Sequence, residues 1–169
     1  MRYLLMTTVA ACALTAWGRA NEEKVPLDKL PKGVLEAAKK RFPKAEAVGA
    51  SVENDKGKFV YEVQLKEGGK AIDLTLTPDG AITLIEQEID AKDLPKGVVD
   101  ALDNKYPKVA YKTVEAVYTV KDGKEVLDFY EVVVTTTDKK EVEVQITADG
   151  KIRRETENKK IKKDVPEKK

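Results

Sequence analysis

The sequence predicts an α+β protein made of two tandem copies of one unit, each a helix followed by a four-stranded antiparallel meander with the helix packed on one sheet face. Three observations lead there. The stretch LPKGVLEAAKKRFPK, residues 30–44, returns as LPKGVVDALDNKYPK, residues 94–108, with eight of fifteen positions identical, and self-similarity at a fixed distance is the mark of a repeated structural unit. Each copy of this stretch is followed by runs in which apolar and polar residues alternate, the period of a half-buried strand. Between those runs stand short clusters of Gly, Asp, Asn and Lys of the kind that close hairpins.

Residues 1–20 read as a secretory signal peptide. Arg2 supplies the positive start, Tyr3 to Ala16 carries no charge, and Gly18-Arg19-Ala20 places small residues around a cleavage site. A membrane anchor needs about 20 apolar residues in a row, and Arg19 interrupts this run too early. Val9-Ala10-Ala11-Cys12 offers an alternative, a lipoprotein box with Cys12 as the lipidated residue. Cleavage after Ala20 would leave an exported chain with no cysteine, hence no disulfide.

The first unit spans residues 21–90. Its helix is bounded by Pro31, acceptable at a helix start, and by Pro43, which forces a stop. Leu30, Val34, Leu35, Ala38 and Phe42 recur at helical spacing, and Lys39, Lys40 and Arg41 fall in the last turn, where the helix dipole favours cations. Phe59, Tyr61, Val63 and Leu65 then alternate with polar neighbours, as do Ile72, Leu74 and Leu76. Turns are expected at 54–57, 67–70 and 78–80.

The second unit, residues 91–157, repeats the plan. Pro95 and Pro107 bound a helix with Leu94, Val98, Leu102 and Tyr106 on one face. Tyr130-Glu131-Val132 matches Tyr61-Glu62-Val63, and VEVQITADG (142–150) matches IDLTLTPDG (72–80). Turns are expected at 121–124, 137–140 and 148–150. Residues 158–169, NKKIKKDVPEKK, read as a Lys-rich disordered tail.

The chain holds 31 Lys and Arg against 30 Asp and Glu. Without Arg2 and Arg19 the balance is 29 to 30, and without the tail's six Lys and two acids it is 23 to 28, so residues 21–157 are net −5. An acidic body speaks against nucleic-acid binding, which needs a basic footprint. No His is present, Ser51 is the lone serine and Cys12 the lone cysteine. Ser-His and Cys-His nucleophiles, and zinc sites built from His and Cys, therefore cannot be assembled. No metal or other cofactor is expected, since the Asp-Gly turns lack the spacing of a calcium loop. Glu62 and Glu131, at equivalent outward positions, read as a charged exposed sheet face and not as an acid-base pair. The protein is not expected to be an enzyme.

A helix ending in F/Y-P-K, a strand with a Y-E-V core and a strand closing on T-x-D-G-x-I resemble the PepSY-like, β-lactamase-inhibitor-like repeat of exported bacterial proteins. The resemblance covers nearly the whole exported chain, and its motifs determine the fold without carrying a chemical signature. It implies a periplasmic or secreted module that binds a partner protein through its sheet, an inhibitor of an exported hydrolase being one form. The other reading is a small-ligand or peptide-binding accessory domain of the cell envelope. Aligning outward positions sets Val60, Glu62 and Gln64 against Phe129, Glu131 and Val133. The second unit is thus more apolar on its wet side, which marks either a contact between the units or a partner site. The candidate partner-binding residues are Leu127, Phe129, Glu131 and Val133, with Val117 on the neighbouring strand. Phe129 is expected to point away from its own helix because Tyr130, Val132 and Val134 are fixed to the helix side.

Overall fold

The computed structural model describes residues 22–55 and 58–158. The signal-peptide reading of residues 1–20, the lipoprotein alternative at Cys12 and the Lys-rich tail beyond Asn158 lie outside the described residues.

The strands are β1 (Glu22–Lys24), β2 (Glu46–Asp55), β3 (Lys58–Glu67), β4 (Lys70–Leu76), β5 (Ile82–Glu88), β6 (Ala110–Lys121), β7 (Lys124–Thr135), β8 (Glu141–Ile146) and β9 (Ile152–Asn158). Helix α1 (Lys32–Arg41) lies between β1 and β2, and α2 (Lys96–Lys105) between β5 and β6, each preceded by a single 3₁₀ turn. Every strand pairs antiparallel with the next, in one sheet of order β1 to β9.

That sheet corrects the expected fold class. The strands do not form two α+β repeats of a helix and a four-stranded meander. Among the described residues they form one continuous nine-stranded sheet, and with two ten-residue helices there the architecture is sheet-dominated. The physical reason lies at the junction. Left apart, β5 and β6 would each present a row of unpaired N–H and C=O groups, a hazard for any sheet edge. Instead they pair through Leu84↔Thr119, Ile85↔Tyr118, Glu86↔Val117, Gln87↔Ala116 and Glu88↔Glu115.

The helices form where the prolines allow. Pro31 and Pro95 stand at the N-cap, and the chain leaves the helix at Phe42 and Tyr106, whose N–H groups still donate to Ala38 O and Leu102 O at 2.9 and 2.7 Å. Each helix buries one stripe on the sheet. Val34 and Ala38 of α1 join Val63, Leu65, Ile72, Leu74, Leu76 and Ile85 in a first core. Val98 and Leu102 of α2 join Val114, Ala116, Tyr130, Val132, Val134, Val144 and Ile146 in a second. Each fully buried aliphatic side chain is stabilised by about 1.5–3 kcal/mol. The two cores are joined, because Tyr118 packs against both and Val120 of β6 against the first. Arg41 at the end of α1 reaches the second half of the chain, donating through Nε and Nη2 to Glu125 at 2.5 and 2.8 Å.

The hairpins follow turn chemistry. Gly68-Gly69 and Asp122-Gly123 close two-residue loops with positive φ at both positions, the geometry that matches strand twist. Gly80 has a further duty. At φ +90 it lies against the start of α1, so that an added Cβ would sit 2.5 Å from Gly33 O. Gly150 meets Gly97 O of α2 in the same way.

Candidate functional site

With both helices on one face, the other face of the sheet is left open. Register assigns its residues. One row runs Gln64, Asp73, Glu86, Val117, Phe129 across β3 to β7. The next runs Glu88, Glu115, Glu131, Gln145, Arg154 across β5 to β9, and a third Thr113, Val133, Glu143, Thr156 across β6 to β9. Nothing among the described residues packs onto these rows as a further layer. Even so, Val117 is 0 %, Glu131 2 %, Val133 4 % and Glu143 4 % exposed. These side chains shield one another within the face, and we call the strip that they line opposite the helices the trough.

The candidate residues divide. Val117 stands directly across from Phe129, and Glu131 and Val133 follow on the same face, so the structure brings these four together. Leu127 does not join them. Between Phe129 and Leu127 the ladder shifts, Val117↔Phe129 being followed by Tyr118↔Leu127, and Asp128 is the extra residue of a bulge. This turns Leu127 to the helix side, where it packs against the second core. Phe129 is half-buried. The Arg153 guanidinium lies 5.6 Å from its ring centre while donating to Asp128 at 2.6 Å.

The expectation of an exposed charged face fails at Glu131. Its Oε2 accepts from Gln145 Nε2 at 3.1 Å, while its Oε1 is buried with no hydrogen-bond partner. Around it the trough is acidic. Glu115 is pushed up to about 8 by burial and then by the charges of Glu86, Glu131, Asp73 and Glu88. Glu143 is pushed up to about 7 by burial and by Glu131, with Arg154 opposing. Asp73 rises to about 7 through burial and Glu62. Glu88 Oε2 accepts from the Ala71 backbone N–H at 2.9 Å. Sequence reasoning singled out Glu62 and Glu131 and passed over Asp73, Glu86, Glu88, Glu115 and Glu143. The available signal was parity: acids occupy alternate positions of β5 and β8, but only the register shows that they meet.

A trough of carboxylates could suggest a metal, yet among the described residues no group of three or more His, Cys, Asp or Glu is arranged to hold one. No helix among the described residues is long and apolar enough to cross a membrane.

A single antiparallel meander carrying two helices on one face and an open trough on the other defines a scaffold whose distinctive surface is the sheet itself. The chain belongs to the PepSY-like family: the model described as "Putative beta-lactamase-inhibitor-like, PepSY-like" matches residues 15–85 and 61–154. No curated protein matches the sequence. Among solved structures, one from Bacteroides eggerthii described as "putative periplasmic proteins" is 18% identical, with a TM-score of 0.60 over 76% of this chain and 88% of that one. A BLIP-like protein from Bacteroides fragilis is 18% identical, with a TM-score of 0.55 over 79% of this chain and 87% of that one. A DUF2874 family protein from Bacteroides uniformis is 18% identical, with a TM-score of 0.59 over 75% and 88%. At these identities the likeness is one of fold.

Proposed function

We propose that this protein is an exported, non-catalytic binding module that receives a partner protein in the trough of its sheet, and that the partner is an extracytoplasmic hydrolase which it inhibits. The observation that carries the reading is the apolar centre of the trough. Phe129 keeps part of its ring accessible on the face opposite the helices, backed by the buried Val117 and Val133 and flanked by polar side chains, which is the arrangement of an apolar anchor within a polar rim. The family description supports an inhibitor-like role. The periplasmic description of a relative of the same fold and the signal-like residues 1–20 support export.

The test is affinity capture from envelope extract with residues 21–169 as bait, compared with Phe129→Ala and with a Lys39→Glu, Lys40→Glu variant on the helix side. A protein retained by the wild type and the helix variant, and lost with Phe129→Ala while circular dichroism stays unchanged, is the expected result. Capture that survives Phe129→Ala and fails in the helix variant would move the interface to the other face.

A further inference from the structure

The row Glu88, Glu115, Glu131 places three acids directly across from one another on β5, β6 and β7. Like charges in opposed positions destabilise a sheet, and a face needing only solubility would alternate its signs. Glu131 sharpens the puzzle. At 2 % exposure it is withdrawn from water, yet Oε1 meets no donor, an arrangement that costs stability unless a partner completes it. We propose that the partner bound in the trough presents a basic strand or loop, one of whose Lys or Arg side chains donates to Glu131 Oε1 while its apolar residues cover the half-buried ring of Phe129. This rests on the reading of the trough as the partner site.

The geometry favours side-chain cations over a metal ion. Successive acids of the row stand one strand apart, about 5 Å between opposed Cβ atoms, and they do not converge as a metal site does. An extended basic segment can meet such a row one residue at a time. The chain's own cation on this row, Arg154, lies across from Gln145 and acts on Glu143, while Glu131 Oε1 meets no donor. The groups that face Glu131 are Glu115 from β6 and Gln145 and Glu143 from β8, with Glu86 and Glu88 beyond them on β5. Glu115 and Glu143 hold protons into the neutral range. Arriving cations should displace them, so binding releases protons.

The experiment is calorimetric titration of residues 21–169 at pH 7 with an eight-residue peptide alternating Val with Lys and Arg, in two buffers of different ionisation enthalpy. The same peptide with Glu in place of Lys and Arg is the control. The expected result is binding of the basic peptide alone, with net proton release and weakening of roughly tenfold, about 1.4 kcal/mol, in Glu131→Gln. Should Glu131→Gln fail to fold, Glu143→Gln in the neighbouring row carries the comparison. Equal binding of both peptides, or of the basic peptide by wild type and variant, overturns the proposal. So does a chain ending at residue 158 that binds far more tightly than the full one, since the occupant would then be the Lys-rich segment 159–169. A partner captured through Phe129 but indifferent to Glu131→Gln would leave the docking reading standing and refute this one.

Discussion

Replacing Glu115 by Gln should make the protein more stable in alkali and leave it unchanged in mild acid. Glu115 stands between Glu88 and Glu131, and its carboxyl is pushed from 4.5 to about 8 by burial and by its acidic neighbours. The folded protein therefore keeps a proton between these values that the unfolded chain has released. The stabilisation associated with that proton is complete below pH 4.5 and lost as pH rises through 8. A displacement of some 3.5 units at about 1.36 kcal/mol per unit sets a ceiling of about 5 kcal/mol. Because Glu115 retains partial exposure, about 2 kcal/mol is the working expectation at pH 9. Gln has nearly the shape of the protonated acid and cannot ionise. Urea unfolding of wild type and Glu115→Gln, followed by far-ultraviolet circular dichroism, should give curves that coincide at pH 5 and separate by pH 9, the variant unfolding at higher urea. A variant weakened equally at both pH values, or a wild type whose stability is flat between them, would refute the reasoning.

Two further outcomes follow from the packing. Gly80→Ala should cost about 2–3 kcal/mol, combining positive-φ strain with displacement of the Gly33 backbone. Gly68→Ala, at φ +59 with open space around the added Cβ, should cost only about 1 kcal/mol; equal losses in denaturant melts would show that the helix contact is irrelevant. Residues 21–90 expressed alone should melt far below residues 21–157, since they lose Tyr118 and Val120 from the first core and leave β5 unpaired. Two halves that each melt cooperatively near the full-length temperature would contradict this.

The parts of the fold that were legible are those written in neighbouring residues. The spacing of Val34, Ala38 and Phe42 between two prolines suffices for α1, and Asp122-Gly123 between alternating runs suffices for a hairpin. What was missed depends on residues far apart in sequence. The pairing of β5 with β6 spans α2, so no turn announces it, and β1 is three exposed residues with no alternation to read. Leu127 was misplaced because alternation presumes that every residue advances the ladder by one, whereas Asp128 does not. The acids of the trough stayed hidden for a related reason. Glu88, Glu115 and Glu131 each look like an ordinary solvated strand position, and become a row only when three registers are fixed together.

Among the described residues, the sequential order of the sheet leaves two outermost strands, β1 and β9. Their composition matters for what the protein avoids. β1 offers only Glu22, Glu23 and Lys24, and β9 exposes Arg153, Arg154, Glu155 and Glu157. Short length and dense charge are the means by which sheets discourage edge-to-edge growth. Immediately inside β9 lies β8, with Val142, Val144 and Ile146 in alternation, a segment that would template aggregation if its free edge faced solvent. β9 acts as a guard rail for that strand, so its removal would threaten solubility before it touched the trough.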